Sequence, residues 1–175
     1  MNAADILKYG QLTVLQTIEG FPESEWETPG ACGVWSVKDI IAHLTSYEHV
    51  LAEVLSPFVG TRSAEAGELV SADFAPGSYL SKFTDANGNF NDSEVAARKE
   101  KTLRDVLGEF DDTHEQVMAM VAQIPPETLR QTGTIAWYGA AYALDDFIVY
   151  AFYGHKREHS AQIDVFKDKL QAKSG

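Results

Sequence analysis

Apolar residues recur every three or four positions in four long stretches of this chain, the spacing that predicts amphipathic helices. The first stretch runs from about Ala3 to Ile18 and ends before the Gly20–Pro22 turn sequence. The second begins after Ser36, which is suited to an N-cap with Asp39 as its capping-box acid, and continues to Pro57. Because each helix has to bury its apolar face, the pattern predicts an all-α four-helix bundle.

The two remaining stretches lie in the second half of the chain. The third runs from Asp92 or Ser93 to the prolines at 125–126, with an irregularity expected at Gly108, and the fourth runs from about Ala141 to Leu170. Between the second and third stretches, residues 58–91 are rich in glycine and small polar residues, and we expect a crossover with a short helix around Arg62–Val70. A crossover of this length lets the second and third helices run parallel, which predicts an up-down-down-up bundle.

Composition excludes several classes of function. With 175 residues, 45% of them hydrophobic, the chain can bury one sizeable core, so we expect a single domain over 1–175. The 14 basic and 26 acidic residues give a net charge of −12, which opposes binding to nucleic acid or to an anionic membrane. A single cysteine, Cys32, permits no intramolecular disulfide, and we find no basic secretion signal and no apolar run of about 18 residues. We therefore expect a cytoplasmic protein.

Three histidines predict a metal site. His155 and His159 are four residues apart, so both side chains lie on one face of the fourth helix and can reach one cation. Apolar residues precede them on that face, which indicates that the pair points into the bundle. His43 lies among apolar residues of the second helix and completes a triad. Three imidazoles leave coordination positions open, as in catalytic sites, and they suit a divalent ion such as zinc or nickel.

Other polar residues near the triad have weaker assignments. Glu48 is five positions past His43 and could act as a general base beside the site, although an exposed glutamate fits the sequence equally well. His49 faces away from His43, and the charged surroundings of His114 favour a solvated position for that side chain. Cys32 precedes the second helix, where a reactive thiol is the minor alternative to an ordinary loop cysteine.

Two segments together resemble the DinB-like superfamily of metal-binding four-helix bundles. They are WSVKDIIAHLTSYEHVL, which contains His43, and GHKREHSAQI, which contains His155 and His159. The resemblance implies that these three residues bind a divalent metal, and that the chain forms a homodimer through a bundle face. The stretch FNDSEVAARKEKTLRDVLGEFDDTHEQV is also similar to the ClbS/DfsB branch, but the C-terminal histidines favour the metal-binding branch.

Two kinds of function follow from this resemblance. The first is a divalent-metal-dependent enzyme acting on a small organic substrate, either a hydrolase using metal-activated water or an S-transferase using a metal-bound low-molecular-weight thiol. The alternative is a non-catalytic stress-response or ligand-binding bundle that holds a structural metal or none. The count of three protein ligands rather than four favours the enzyme.

Overall fold

The computed structural model describes residues 2–60, 74–85 and 87–174, and this part of the chain is helical without strands. The predicted helix at Arg62–Val70 lies outside the described residues. The helices, in chain order, are α1 (Ala3–Ile18), α2 (Val37–Leu55), α3 (Tyr79–Thr84), α4 (Phe90–Ala97), α5 (Leu103–Val121), α6 (Pro126–Arg130), α7 (Leu144–Ile148) and α8 (Gly154–Ser174).

The first two helices begin and end where the sequence pattern predicts. Asn2 caps α1, since its side-chain oxygen accepts hydrogen bonds from the backbone N–H groups of Ala4 and Asp5. Ser36 caps α2 through a complete capping box: its hydroxyl oxygen accepts from the Asp39 N–H, and the Asp39 carboxylate accepts from the Ser36 N–H. The predicted limits of both helices are therefore confirmed.

The third predicted helix is interrupted, and the expected position of its irregularity is wrong. The chain breaks between α4 and α5, over residues 98–102, whereas Gly108 lies within α5 without disturbing it. Thr102 starts a new helix because it forms a capping box with Asp105. At the break, the buried Arg98 side chain reaches Glu94 on α4 and Glu109 on α5, which joins the two helices across the interruption.

The fourth predicted helix is nearly continuous but contains one turn of different geometry. After α7, residues Val149–Tyr153 form a π-helical turn, and α8 follows directly. The Gly154 N–H donates to the Val149 carbonyl, five residues back, as this geometry requires. A π turn inside an α-helix changes which face the following residues present, and here those residues begin with His155.

The helix directions confirm the up-down-down-up arrangement. Helix α5 runs parallel to α2. Glu48 contacts His114 midway along the two helices, the apolar residues that precede both of them share one core cluster, and the apolar residues that follow both of them share the other. Helix α8 runs parallel to α1, because Lys156 bonds Gln11 and Lys167 bonds the Thr17 carbonyl. Two clusters of buried apolar side chains fill the bundle, one towards each end. None of the described helices has an apolar stretch long enough to cross a membrane.

Candidate metal centre

The three histidines singled out in the sequence meet inside the bundle. The Nε2 atom of His155 lies 2.9 Å from Nε2 of His43 and 2.9 Å from Nε2 of His159. His43 and His159 are 2% and 6% exposed, and His155 is partly buried. Within the described residues, these three side chains form a cluster whose potential ligand atoms all lie close enough to share one ion.

Two helices position the three imidazoles. His43 lies in the middle of α2, where Ile40, Ile41 and Leu44 are buried on either side of it. His155 and His159 lie in the first two turns of α8, one helical turn apart, so their rings lie on one face, with centroids 4.6 Å apart and planes inclined at 59°. The π turn Val149–Tyr153 lies immediately before α8.

Gln162 fixes the orientation of one ring. Its Oε1 atom lies 2.9 Å from Nδ1 of His159, and an amide oxygen can only accept, so His159 carries its proton on Nδ1. The Nε2 atom of His159 is then unprotonated, and its lone pair is directed at His155. Among the described residues, the Nδ1 atoms of His43 and His155 are buried and have no hydrogen-bond partner. These two rings therefore have polar contacts only at Nε2, within the triad itself.

Burial keeps the three imidazoles neutral. It lowers the pKa of His43 from 6.5 to about 2, with a smaller contribution from His155 and His159. Burial likewise lowers the pKa of His155 to about 3, assisted by His159 and Lys156. The pKa of His159 is lowered in the same direction, mainly by burial, while Gln162 and Glu158 oppose the shift. Neutral imidazole is the form that binds a metal ion.

Aromatic rings surround the triad. The ring of Trp35 lies 4.9 Å from that of His43, and the ring of Tyr47 lies 4.8 Å from His43 and 4.3 Å from His155, measured between centroids. Tyr47 also lines a surface cleft of about 200 Å³ together with Phe83 and Phe90. Burial raises the pKa of the Tyr47 hydroxyl, so this group stays protonated and can donate a hydrogen bond.

Comparison with known proteins identifies the family of the chain and supports its fold. The family model described as the DinB superfamily matches residues 7–163 of the chain. The chain belongs to the DinB superfamily. The crystal structure of a Streptococcus pneumoniae protein, determined by a structural genomics consortium, superposes with a TM-score of 0.70 at 10% identity. That alignment covers 95% of this chain and 88% of the other, and at this identity it supports the fold alone. No curated protein matches the chain.

Members of the DinB superfamily generally bind metal, and in this member the histidines of the buried triad come from α2 and α8. The family assignment confirms the resemblance stated from the two histidine-containing segments. It identifies neither the metal nor a reaction.

Glu48 lies deeper than the sequence suggested. Its side chain is completely buried, and one carboxylate oxygen lies 2.7 Å from the Lys156 ammonium while the other lies 3.1 Å from Nδ1 of His114. Burial alone would raise the pKa of Glu48, but Lys156 and His114 hold it below its ordinary value. This carboxylate is therefore ionised, and both of its oxygens already have partners within the protein.

The predicted solvated position of His114 is wrong. The residue is 7% exposed, because α5 packs against α2 at this level and the imidazole meets Glu48. The charged residues around it in DDTHEQ, Asp111, Asp112 and Glu115, are themselves exposed. His49 does face away from the triad, where it pairs with Glu109 at 2.9 Å. Cys32 is a partly buried free cysteine ahead of α2.

Sequence reasoning missed two residues beside the triad. Lys156 follows His155 directly, yet it is only 2% exposed, and its burial depends on partners from α1 and α2. Gln162 could have been found, because it lies three residues after His159 and residues at that spacing are neighbours on a helix surface.

Proposed function

We propose that this protein binds one divalent metal ion, zinc or nickel, through His43, His155 and His159, and uses it to act on a small organic substrate. The observation that carries the proposal is the convergence of three neutral imidazoles, two of them buried and one partly buried, in which Nε2 of His155 lies 2.9 Å from Nε2 of His43 and of His159. Two nitrogens that each lie about 2.1 Å from one ion are at most about 4.2 Å apart. The two separations of 2.9 Å, from His155 to His43 and from His155 to His159, lie within this limit, and the candidate ligand atoms of all three residues lie within 4.8 Å of one another.

The protonation pattern of the rings also supports a cation. Gln162 leaves a lone pair on Nε2 of His159, and one proton on His155 would have to serve both of its 2.9 Å contacts. A proton on Nε2 of His43 would face the proton on His155 at 2.9 Å, and a charged imidazolium is opposed by the low pKa of His43 and of His155. One cation accepts all three lone pairs at once, so the donor set fits a metal better than it fits a hydrogen-bonded cluster.

The number of ligands favours a reactive metal over a structural one. Among the described residues, no carboxylate or thiolate joins the three histidines as a fourth ligand. Three protein ligands with an open position are typical of catalytic zinc sites. A bound ion would supply an activated nucleophile there, as water for hydrolysis or as a thiolate for S-transfer.

The residues around the triad suit a small organic substrate. Trp35 and Tyr47 present aromatic surfaces against the imidazoles, and the protonated Tyr47 hydroxyl donates to Oδ1 of the exposed Asn91 at 3.4 Å, a long contact that a polar group of a substrate could replace. The adjoining cleft of about 200 Å³ is small, which favours a small molecule over a polymer. The general-base role of Glu48 stays a prediction, and its engaged carboxylate favours a different role, argued below.

Elemental analysis tests the metal site. Protein purified without an affinity tag should carry close to one zinc or nickel per chain, measured by plasma mass spectrometry. His43→Ala, His155→Ala and His159→Ala should each lose most of that metal. His49→Ala is the matched control, because this histidine also lies on α2 but contacts Glu109 instead of the triad. Equal metal content in all four variants would rule out the triad.

A second measurement separates the enzyme from its alternative. If the metal is catalytic, metal-loaded protein should turn over a hydrolysable ester or amide, or couple a low-molecular-weight thiol to an electrophile, and metal removal should abolish this turnover. If the metal is structural, metal removal should lower Tm, and a screen of both substrate classes should show no turnover at any metal content.

A further inference from the structure

We propose that Glu48 and Lys156 form a positioning pair that sets the rotation of α2 and α8, so that the imidazoles of His43, His155 and His159 converge. The inference rests on the proposed metal site and assigns a task to two buried charges that take no direct part in it.

The pair lies at the centre of a polar network that joins four helices. The Lys156 ammonium on α8 lies 2.7 Å from Glu48 on α2 and donates to Oε1 of Gln11 on α1 at 2.9 Å. Gln11 in turn donates to Asp111 on α5 at 2.8 Å, and His114 on α5 meets the second oxygen of Glu48. Each long helix of the bundle thus contributes at least one side chain to the network.

The ion pair and the triad both join α2 to α8, but their side chains leave each helix at different angles around its axis. Lys156 follows His155 by one residue, which places the two side chains about 100° apart around α8. Glu48 follows His43 by five residues, which places them about 140° apart around α2. The two helices therefore meet through both the triad and the ion pair, and two contacts at different angles fix a rotation that one contact leaves free.

Because Glu48 and Lys156 are buried, their contact restricts the rotation of α8 relative to α2. Glu48 and Lys156 are 0% and 2% exposed, and a charge that far from water is tolerated only where its partner is within reach. Rotating α8 by a fraction of a turn would separate the ammonium from the carboxylate, whereas an apolar contact would adjust to the rotation. The requirement is useful here because, in the part of the chain that the structure describes, Nδ1 of His43 and Nδ1 of His155 have no hydrogen-bond partner that would orient either ring.

The test replaces the pair with apolar residues of similar size, Glu48→Leu with Lys156→Met, so that no uncompensated charge remains. Zinc affinity is measured by competition with a chromophoric chelator, and coordination by the absorption spectrum of the cobalt-substituted protein. We expect zinc affinity to fall by about 10-fold to 100-fold, as for other residues that support metal ligands, with an altered cobalt spectrum and unchanged helix content by circular dichroism.

Lys38→Met is the matched control. Lys38 is also a buried lysine on α2, five residues before His43, but its ammonium contacts Glu27 and the Lys99 carbonyl and does not reach α8. This variant should keep the zinc affinity and the cobalt spectrum of the wild type.

Three outcomes overturn or redirect the inference. A folded double variant with wild-type zinc affinity and cobalt spectrum would overturn it. If the double variant does not fold, Lys156→Arg carries the same test, because a planar guanidinium keeps the charge but does not reproduce the contacts of the compact ammonium with Glu48 and Gln11, and an unchanged zinc affinity and cobalt spectrum would again overturn it. Wild-type protein that binds neither zinc nor cobalt would instead contradict the proposed metal site itself.

Discussion

The stability of the metal-free protein should fall steeply between pH 7 and pH 5, and the buried histidines are the cause. In the folded chain the pKa of His43 is about 2 and that of His155 about 3, whereas both return to about 6.5 on unfolding. Below pH 6.5 the unfolded chain therefore binds protons that the folded chain does not. The free energy of unfolding decreases as the pH falls through this range.

The size of the effect follows from the two pKa values. A histidine that stays neutral when folded and titrates at about 6.5 when unfolded loses about 1.36 kcal/mol of stability per pH unit well below 6.5. Between pH 7 and pH 5 this amounts to about 2 kcal/mol for each histidine, and so to about 4 kcal/mol for His43 and His155 together. His159 adds to the loss, since its pKa is lowered in the same direction.

Urea unfolding of chelator-treated protein, followed by circular dichroism at pH 7, 6 and 5, measures this loss. His43→Leu is the informative variant, because it removes one of the titrating groups and leaves the burial of His155, the main cause of that group's low pKa. The stability of the variant should change by about 2 kcal/mol less than that of the wild type over the same range. Equal changes in the two proteins, or a wild type as stable at pH 5 as at pH 7, would refute the buried neutral triad.

Two further predictions concern side chains outside the triad. Gln162→Leu removes the acceptor of the His159 Nδ1–H, so zinc affinity should fall by about 10-fold in a chelator competition, and an unchanged affinity would show that this hydrogen bond does not orient the ring. Arg98→Met should lower the free energy of unfolding by about 1.5–3 kcal/mol in urea, because Glu94 and Glu109 lose the buried cation that they share and keep only the more exposed Lys82, Lys101 and His49. A loss below about 1 kcal/mol would mean that the α4–α5 break is held by apolar packing instead.

The parts of the fold that could be predicted are those whose signals are local. The limits of α1 and α2 follow from an apolar stripe and from the capping side chain of Ser36. The break before α5 was missed, although Thr102 and Asp105 have the spacing of a capping box, because the apolar stripe continues on both sides of it. The irregularity was expected at Gly108 because glycine has a low helix propensity. The buried apolar face of α5 stabilises the helix in spite of this residue.

The triad could be predicted because its spacing and its apolar neighbours are visible in two short segments. The burial of His114 and Lys156 could not, since each depends on Glu48, which lies 66 residues before one and 108 before the other in sequence. A charged residue in a polar segment is normally solvated, and only the packing of α5 and α8 against α2 reverses that expectation. The π turn before His155 could not be predicted either, because the periodicity of apolar residues does not distinguish a π turn from an α-helical one.

X-ray absorption at the zinc edge tests the central claim most directly, because it reports the ligands of the bound ion. Zinc-loaded protein should show three imidazole nitrogens at about 2.0–2.1 Å and at least one further light-atom ligand that a small thiol or another exogenous ligand displaces. Fewer than three imidazoles, or a fourth ligand from the protein that cannot be displaced, would contradict an open site formed by His43, His155 and His159.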